Sequence, residues 1–194
     1  MKTLVHLLHE VGMLSKTPRS GFAFLGSGKQ SVAEHSYRMT LVAFVLAKHF
    51  EEMLDVHKLL LICLLHDLPE ARTGDLNYVN KKYVKADEDK ILNEIEHSSL
   101  IGSEIAAYIR DYKENGTLEA RIAHDADQLE LILCLKEEHD KGNPQALDWY
   151  QNSIKRLKTE PAKLLAEEIW ATDSFEWWLK NKEDPHWING GGQL

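Results

Sequence analysis

Leu59-Leu60-Leu61-Ile62-Cys63-Leu64-Leu65-His66-Asp67 is the stretch from which the fold of this chain can be worked out. Seven consecutive apolar residues give a segment hydrophobic on every side, which predicts a helix in the middle of a core. An imidazole and a carboxylate then end it. A buried carboxylate costs several kcal/mol unless it is paired or bound to a metal. A divalent cation is the simplest remedy, so the doublet raises the question of further ligands elsewhere in the sequence.

Outward from this stretch the periodicity is helical nearly throughout. A first helix is expected over about 2–13. The polar segment with Pro18, Gly21, Gly26 and Gly28 is too glycine-rich for a helix. Ser31-Val32-Ala33-Glu34 is a capping box that starts a helix running to about His49. Asp55 can cap the helix that ends in His66-Asp67, and Pro69 suits the first turn of a short one after it. Thr73-Gly74-Asp75 breaks the pattern. A long helix is expected over about 85–113, bent near Ser98-Ser99, with Asp87-Glu88-Asp89 as a solvated start. Asn115-Gly116 closes it and Thr117 caps a helix of about 118–140. Two more follow, at about 144–158 and 161–181, the last with Trp170, Trp177 and Trp178 packing across it. No stretch alternates well enough for a strand. The expectation is an all-α bundle forming a single domain over 1–181. Its metal-site core lies within about 1–140, with additional C-terminal helices at about 144–181 and a mobile tail at 182–194 that includes Gly190-Gly191-Gly192.

Composition narrows the function. The chain has 194 residues, 43% of them apolar, enough for a sizeable core. A formal charge of −8 argues against a coat for long nucleic acid, which needs a basic face. A small phosphorylated substrate remains compatible, because one arginine can hold one phosphate. Cys63 and Cys134, the only two cysteines, sit in apolar helical stretches, so a disulfide scaffold is not expected and a cytoplasmic location is. The N-terminal stretch carries two histidines and a glutamate and lacks a small-residue cleavage site, so it does not read as a signal peptide. No apolar run is long enough for a membrane span.

Candidate ligands come from three helices. His35 shares a stripe with Met39, Val42 and Leu46, so it points inward. By itself it reads more readily as a core histidine bonded to a carbonyl. Glu34 has Arg38 four residues on, a helical ion pair facing solvent. Asp125 has Arg121 four residues earlier, which explains it as a structural pair. Asp127 instead lies between Ala123, Leu131 and Cys134, a carboxylate on an apolar stripe with no helical cation nearby. His124 lies on another face. His35, His66, Asp67 and Asp127 thus form a set of two imidazoles and two carboxylates. Such a set suits one divalent ion, Mn, Co, Fe or Zn, with Mg acceptable. Two positions of an octahedral ion would stay open for water and substrate, as metal-assisted hydrolysis requires.

The ordered pattern His35…His66-Asp67…Asp127 resembles the HD superfamily of metal-dependent phosphohydrolases. The segments Pro18-Arg19-Ser20-Gly21-Phe22, Ser31-Val32-Ala33-Glu34-His35-Ser36, His66-Asp67-Leu68-Pro69-Glu70-Ala71-Arg72-Thr73-Gly74-Asp75-Leu76 and Ala126-Asp127-Gln128-Leu129-Glu130 are similar to its 5′-deoxynucleotidase branch. The resemblance covers roughly residues 1–140. It implies an HD-type helical bundle, a divalent metal, hydrolysis of deoxynucleoside 5′-monophosphates and a homodimer.

The resemblance also gives roles to residues that say less alone. Glu70, three residues past the doublet, would orient or deprotonate the attacking water; alone it is a surface carboxylate. Asp75 becomes a carboxylate that contacts substrate or donates a proton; alone it is a turn residue. Arg19 becomes the phosphate grip, by a two-point fork. Lys16 would add charge, Arg72 either binds phosphate or balances Glu70, and Phe22 and Phe24 flank a base or sugar or simply pack. No dinucleotide or P-loop fingerprint is present. Two other readings stand beside this one. One is an HD phosphohydrolase for a signalling nucleotide, a triphosphate or a cyclic phosphodiester. The other is a non-catalytic, metal-stabilised nucleotide-sensing module.

Overall fold

A computed structural model describes residues 1–50 and 53–179, with residues 184 and 186. The expected tail at 182–194 lies almost wholly outside the described residues. The described residues form an all-α bundle with no strand; a lone bridge pairs Pro18 with Ser31. The elements in chain order are α1 (Lys2–Met13), α2 (Gly21–Leu25), α3 (Val32–Ala47), α4 (Val56–Leu65), α5 (Glu70–Thr73), α6 (Glu88–Ser98), α7 (Gly102–Glu114), α8 (Leu118–Asp140), α9 (Gln145–Ser153), α10 (Glu160–Ala171) and α11 (Glu176–Leu179). Short 3-10 turns occupy Asn80–Lys82 and Ile154–Arg156.

Five helix starts follow from capping chemistry. Ser31 accepts from the Glu34 N–H while Glu34 accepts from Ser31, so both halves of the capping box form. Asp55, Asp87, Thr117 and Thr159 each accept a backbone N–H at the head of α4, α6, α8 and α10. Four expectations need correction. The loop after α1 contains the short helix α2, which Gly26 ends in a left-handed conformation at φ 85°. The stretch over 85–113 is broken rather than bent, because the backbone turns extended at Ser99. The last helix stops at Ala171, and Thr172 is already extended. Of its tryptophans, Trp170 packs, stacked on Tyr150 at 3.9 Å, whereas Trp177 is 85% exposed and Trp178 is also exposed.

The centre of the bundle is where α3, α4 and α8 meet. Met39, Leu46, Leu59, Ile62, Ile122 and Leu129 pack there, together with Leu157, Ala162 and Ala166 from the C-terminal side. Each fully buried Leu or Ile contributes about 1.5–3 kcal/mol. The C-terminal helices therefore share the central core. A second cluster joins Leu7, Val32, Leu68, Ile95 and Ile109 from α1, α3, the α4–α5 turn, α6 and α7. The opening apolar run is buried at Leu59, Ile62 and Cys63, but Leu64 is exposed, so α4 has one open side rather than none. No helix among the described residues is long and apolar enough to cross a membrane.

Candidate metal centre

Three chain segments deliver their side chains to one point. His35 sits in the first turn of α3, His66 caps the C-terminus of α4, and Asp127 lies midway along α8. One ligand atom from each falls within 4.8 Å of the others. His35 Nε2 is 3.2 Å from Asp127 Oδ1, and Asp67 Oδ2 is 3.1 Å from His66 Nε2 and 3.7 Å from His35 Nε2. The other nitrogen of each ring is committed elsewhere. His66 Nδ1 lies 2.9 Å from the Cys63 carbonyl, and His35 Nδ1 lies 2.6 Å from Glu130 Oε2. Protons at Nδ1 leave both Nε2 lone pairs facing the centre, the tautomer a metal needs. His35 is fully buried, and its Nε2 makes no hydrogen bond of good geometry. A buried ring nitrogen with no well-formed hydrogen bond, 3.2 Å from one carboxylate oxygen and 3.7 Å from another, fits a divalent cation.

The electrostatics of the metal-free cluster say the same. Burial opposes charge on His35, yet Asp127 and Glu130 outweigh it and raise the group to about 9. Burial also works against the carboxylates. The His35 hydrogen bond and charge nonetheless hold Asp127 and Glu130 well below the usual range, with Arg19 helping at Asp127 and Arg38 at Glu130. The site thus carries ionised carboxylates around an imidazolium whose proton stands where a cation can bind.

A cleft of about 820 Å³ opens over this cluster, and Arg19, Glu70 and Asp75 all line it. Arg19 Nη1 lies 3.5 Å from Asp67 Oδ2, and the Arg19 backbone N–H donates to the Gln30 carbonyl, which fixes the loop. Burial raises Glu70 first, and the charges of Asp67 and Asp75 add to it, up to about 8. Its Oε2 is buried without a hydrogen-bond partner. Asp75 Oδ2 accepts from both the N–H and the hydroxyl of Ser20, at 2.6 and 3.0 Å, so this carboxylate ties down the arginine loop.

Other expectations resolve differently. Arg72 faces away from the cleft and bridges Glu10 of α1 and Glu94 of α6, so it is structural. Lys16 is exposed and does not line the cleft. Glu34 is held by its cap, and Arg38 reaches across to Glu130 and Glu137 instead. Asp125 has no pair with Arg121: it is fully buried and accepts from Lys158 N, Thr159 N and the Thr159 hydroxyl, anchoring the start of α10. His124 is structural, stacked on Tyr112 with Nε2 2.7 Å from the Tyr112 carbonyl.

Glu130 was not assigned a role from the sequence. It is fully buried and receives His35, Gln30 and Arg38. Its signal was available: Ala126 and Cys134, four residues either side, place it on an apolar stripe. Tyr112 was also missed, and nothing in its sequence context marks it; its hydroxyl lies 3.4 Å from Asp127 Oδ2.

Comparison with known proteins gives the family. The family model described as "HD domain" matches residues 11–170. The 5′-deoxynucleotidase HDDC2 of Homo sapiens is 25% identical over 89% of this chain and 87% of its own length. That of Bos taurus is 27% identical over 87% of this chain and 84% of its own. A conserved hypothetical protein from Pyrococcus furiosus superposes with a TM-score of 0.75 at 28% identity, covering 87% of this chain and 99% of that one.

Proposed function

The chain belongs to the HD-domain family, and on that premise we propose that it is a metal-dependent phosphomonoesterase that hydrolyses deoxynucleoside 5′-monophosphates to deoxynucleoside and phosphate. The observation that carries this reading is the buried His35 Nε2, which makes no well-formed hydrogen bond and faces Asp127 and His66 at the floor of a cleft that also holds Arg19 and Glu70. The names of the relatives supply the substrate class.

His35, His66, Asp67 and Asp127 would hold one divalent ion, with Mn, Co, Fe or Zn best matched to the donors and Mg acceptable. Such an ion supplies Lewis acidity, making water easier to deprotonate and drawing charge from phosphate oxygens. Arg19 grips the phosphate with two N–H groups. Glu70 orients the attacking water and, once ionised, takes its proton. Asp75 holds the Arg19 loop in place and orients the leaving 5′ oxygen. A homodimer belongs to the same reading, since Leu41, Phe44 and Val45 on α3 and Leu64 on α4 leave large apolar side chains exposed. A monomer mass by light scattering at micromolar concentration would remove the dimer.

Phosphate release from nucleoside and deoxynucleoside mono-, di- and triphosphates, with each ion in turn, tests the reaction. Turnover of deoxynucleoside monophosphates is expected and should vanish on exhaustive chelation; full turnover after chelation would sink the chemistry. Glu70→Ala should keep the ion and lower kcat by about 10²–10⁴-fold. Arg19→Ala should also raise KM, because the guanidinium meets phosphate in the ground state, and Arg19→Lys should recover only part of it.

A further inference from the structure

The cleft extends beyond the catalytic groups onto a wall that no motif covers. Trp149, Asn152, Ser153 and Arg156 line it. They stand at i, i+3, i+4 and i+7, one continuous face of α9 and the 3-10 turn after it. An aromatic ring followed by amide, hydroxyl and guanidinium groups makes a face that is apolar at one end and polar along the rest.

This face adjoins the catalytic end at two points. The rim of the Trp149 indole is so close to Gly21 that a Cβ there would lie 3.7 Å from it, and Gly21 is two residues from Arg19. At the other end Arg156 NH1 lies 3.3 Å from Gln128 Oε1, and Gln128 Nε2 donates to Asp127 Oδ2 at 3.0 Å. These two bonds fix the amide orientation of Gln128 and use both its polar atoms. Arg156 has no carboxylate partner among the described residues, so its remaining donors are open to a ligand. Trp149 is partly buried, held against Leu25, Leu135 and Ala146, which makes it a rigid platform.

We propose that this α9 face is the nucleobase subsite, with the base stacked on Trp149 and its carbonyl edge turned toward Arg156. The proposal rests on the phosphomonoesterase reading and adds what selects the nucleoside. A phosphate at Arg19 places the attached sugar and base along the cleft, and α9 supplies its aromatic wall. Stacking tolerates any base, while a guanidinium donates only and therefore favours bases with paired acceptors such as guanine O6 and N7.

The test compares deoxynucleoside 5′-monophosphates with 2-deoxyribose 5-phosphate, which has the same phosphoester and no base. Trp149→Ala should raise KM for the nucleotides about 5- to 100-fold, the range base stacking supplies, and leave kcat/KM for the sugar phosphate unchanged. Trp149→Phe should restore much of the loss. Arg156→Ala should cost more kcat/KM with the guanine nucleotide than with the adenine one. An unchanged nucleotide KM in Trp149→Ala overturns the proposal, as does an equal loss on both substrates, since that marks a merely structural tryptophan. If the wild-type protein hydrolyses neither substrate, the phosphomonoesterase reading itself has failed, which is a separate result.

Discussion

Glu130 shows how a site is assembled behind its ligands. It holds the Nδ1 proton of His35 and takes the charge of Arg38, so that His35 presents Nε2 in one orientation. Partners of this kind are worth about 10–100-fold in metal affinity, and Glu130→Gln should lose that much in a titration with Mn²⁺. An affinity equal to wild type would mean the hydrogen bond does not orient the ring. Two neighbouring aspartates give a sharper contrast. Asp127→Ala should lose the ion. Asp125→Ala should keep it and lose stability instead, because three hydrogen bonds from Lys158 and Thr159 end on that carboxylate. Equal ion content in the two variants would refute the assignment of helix faces. His35 and Asp127 were legible in sequence because periodicity tells which way a helical residue points, and His66 because it ends an apolar run. The partners of Arg38, Arg72 and Asp125 were not, since long side chains and loop N–H groups reach across elements that spacing along one helix does not relate.

Helix starts were legible for the same local reason, since a cap and its N–H lie within three residues of each other. Helix ends and breaks depend on packing. The pattern over 85–113 marks only a bend near Ser98-Ser99 in sequence, yet the chain breaks at Ser99 and resumes at Gly102, where α7 turns back against α6. A Cβ at Gly102 would collide with the Ile95 carbonyl and lie 2.7 Å from the Glu96 carbonyl. Backbone cannot yield as a flexible side chain does, so the glycine is required by the close approach. Gly102→Ala should therefore destabilise by about 1–3 kcal/mol, the usual cost of overpacking, seen as a lower denaturation midpoint. A midpoint equal to or above wild type, as ordinary helix propensity would give, would show that α6 and α7 separate at no cost. The α2 helix was hidden differently: its glycines at 21 and 26 flank it, one at the start and one in the left-handed cap, and read together they look like a loop.

Across the whole molecule the ion and the proton compete for one place. Metal-free His35 is charged up to about 9, because Asp127 and Glu130 more than offset its burial. A raised value means that this charge stabilises the metal-free fold fully below the ordinary histidine pKa of about 6.5, and that the contribution is lost as pH rises through about 9. Binding through Nε2 requires the neutral ring, so the ion must displace a proton below that pH. The melting temperature of the chelated protein should thus fall between about pH 6.5 and 9, while metal affinity rises over the same interval. At an ion concentration of about 100 times Kd, linkage adds about 2.7 kcal/mol, or roughly 5–10 °C for a chain of this size. The gap between metal-loaded and chelated melting curves, measured at one fixed ion concentration, should widen from pH 6.5 to 9, and proton release on loading should be visible in weak buffer. A gap that stays constant across this range would mean that His35 is already neutral in the metal-free protein. The pairing of imidazolium with Asp127 and Glu130 would then have to be abandoned, and apolar packing with the Arg38 bonds to Glu130 and Glu137 would be what holds α3 against α8.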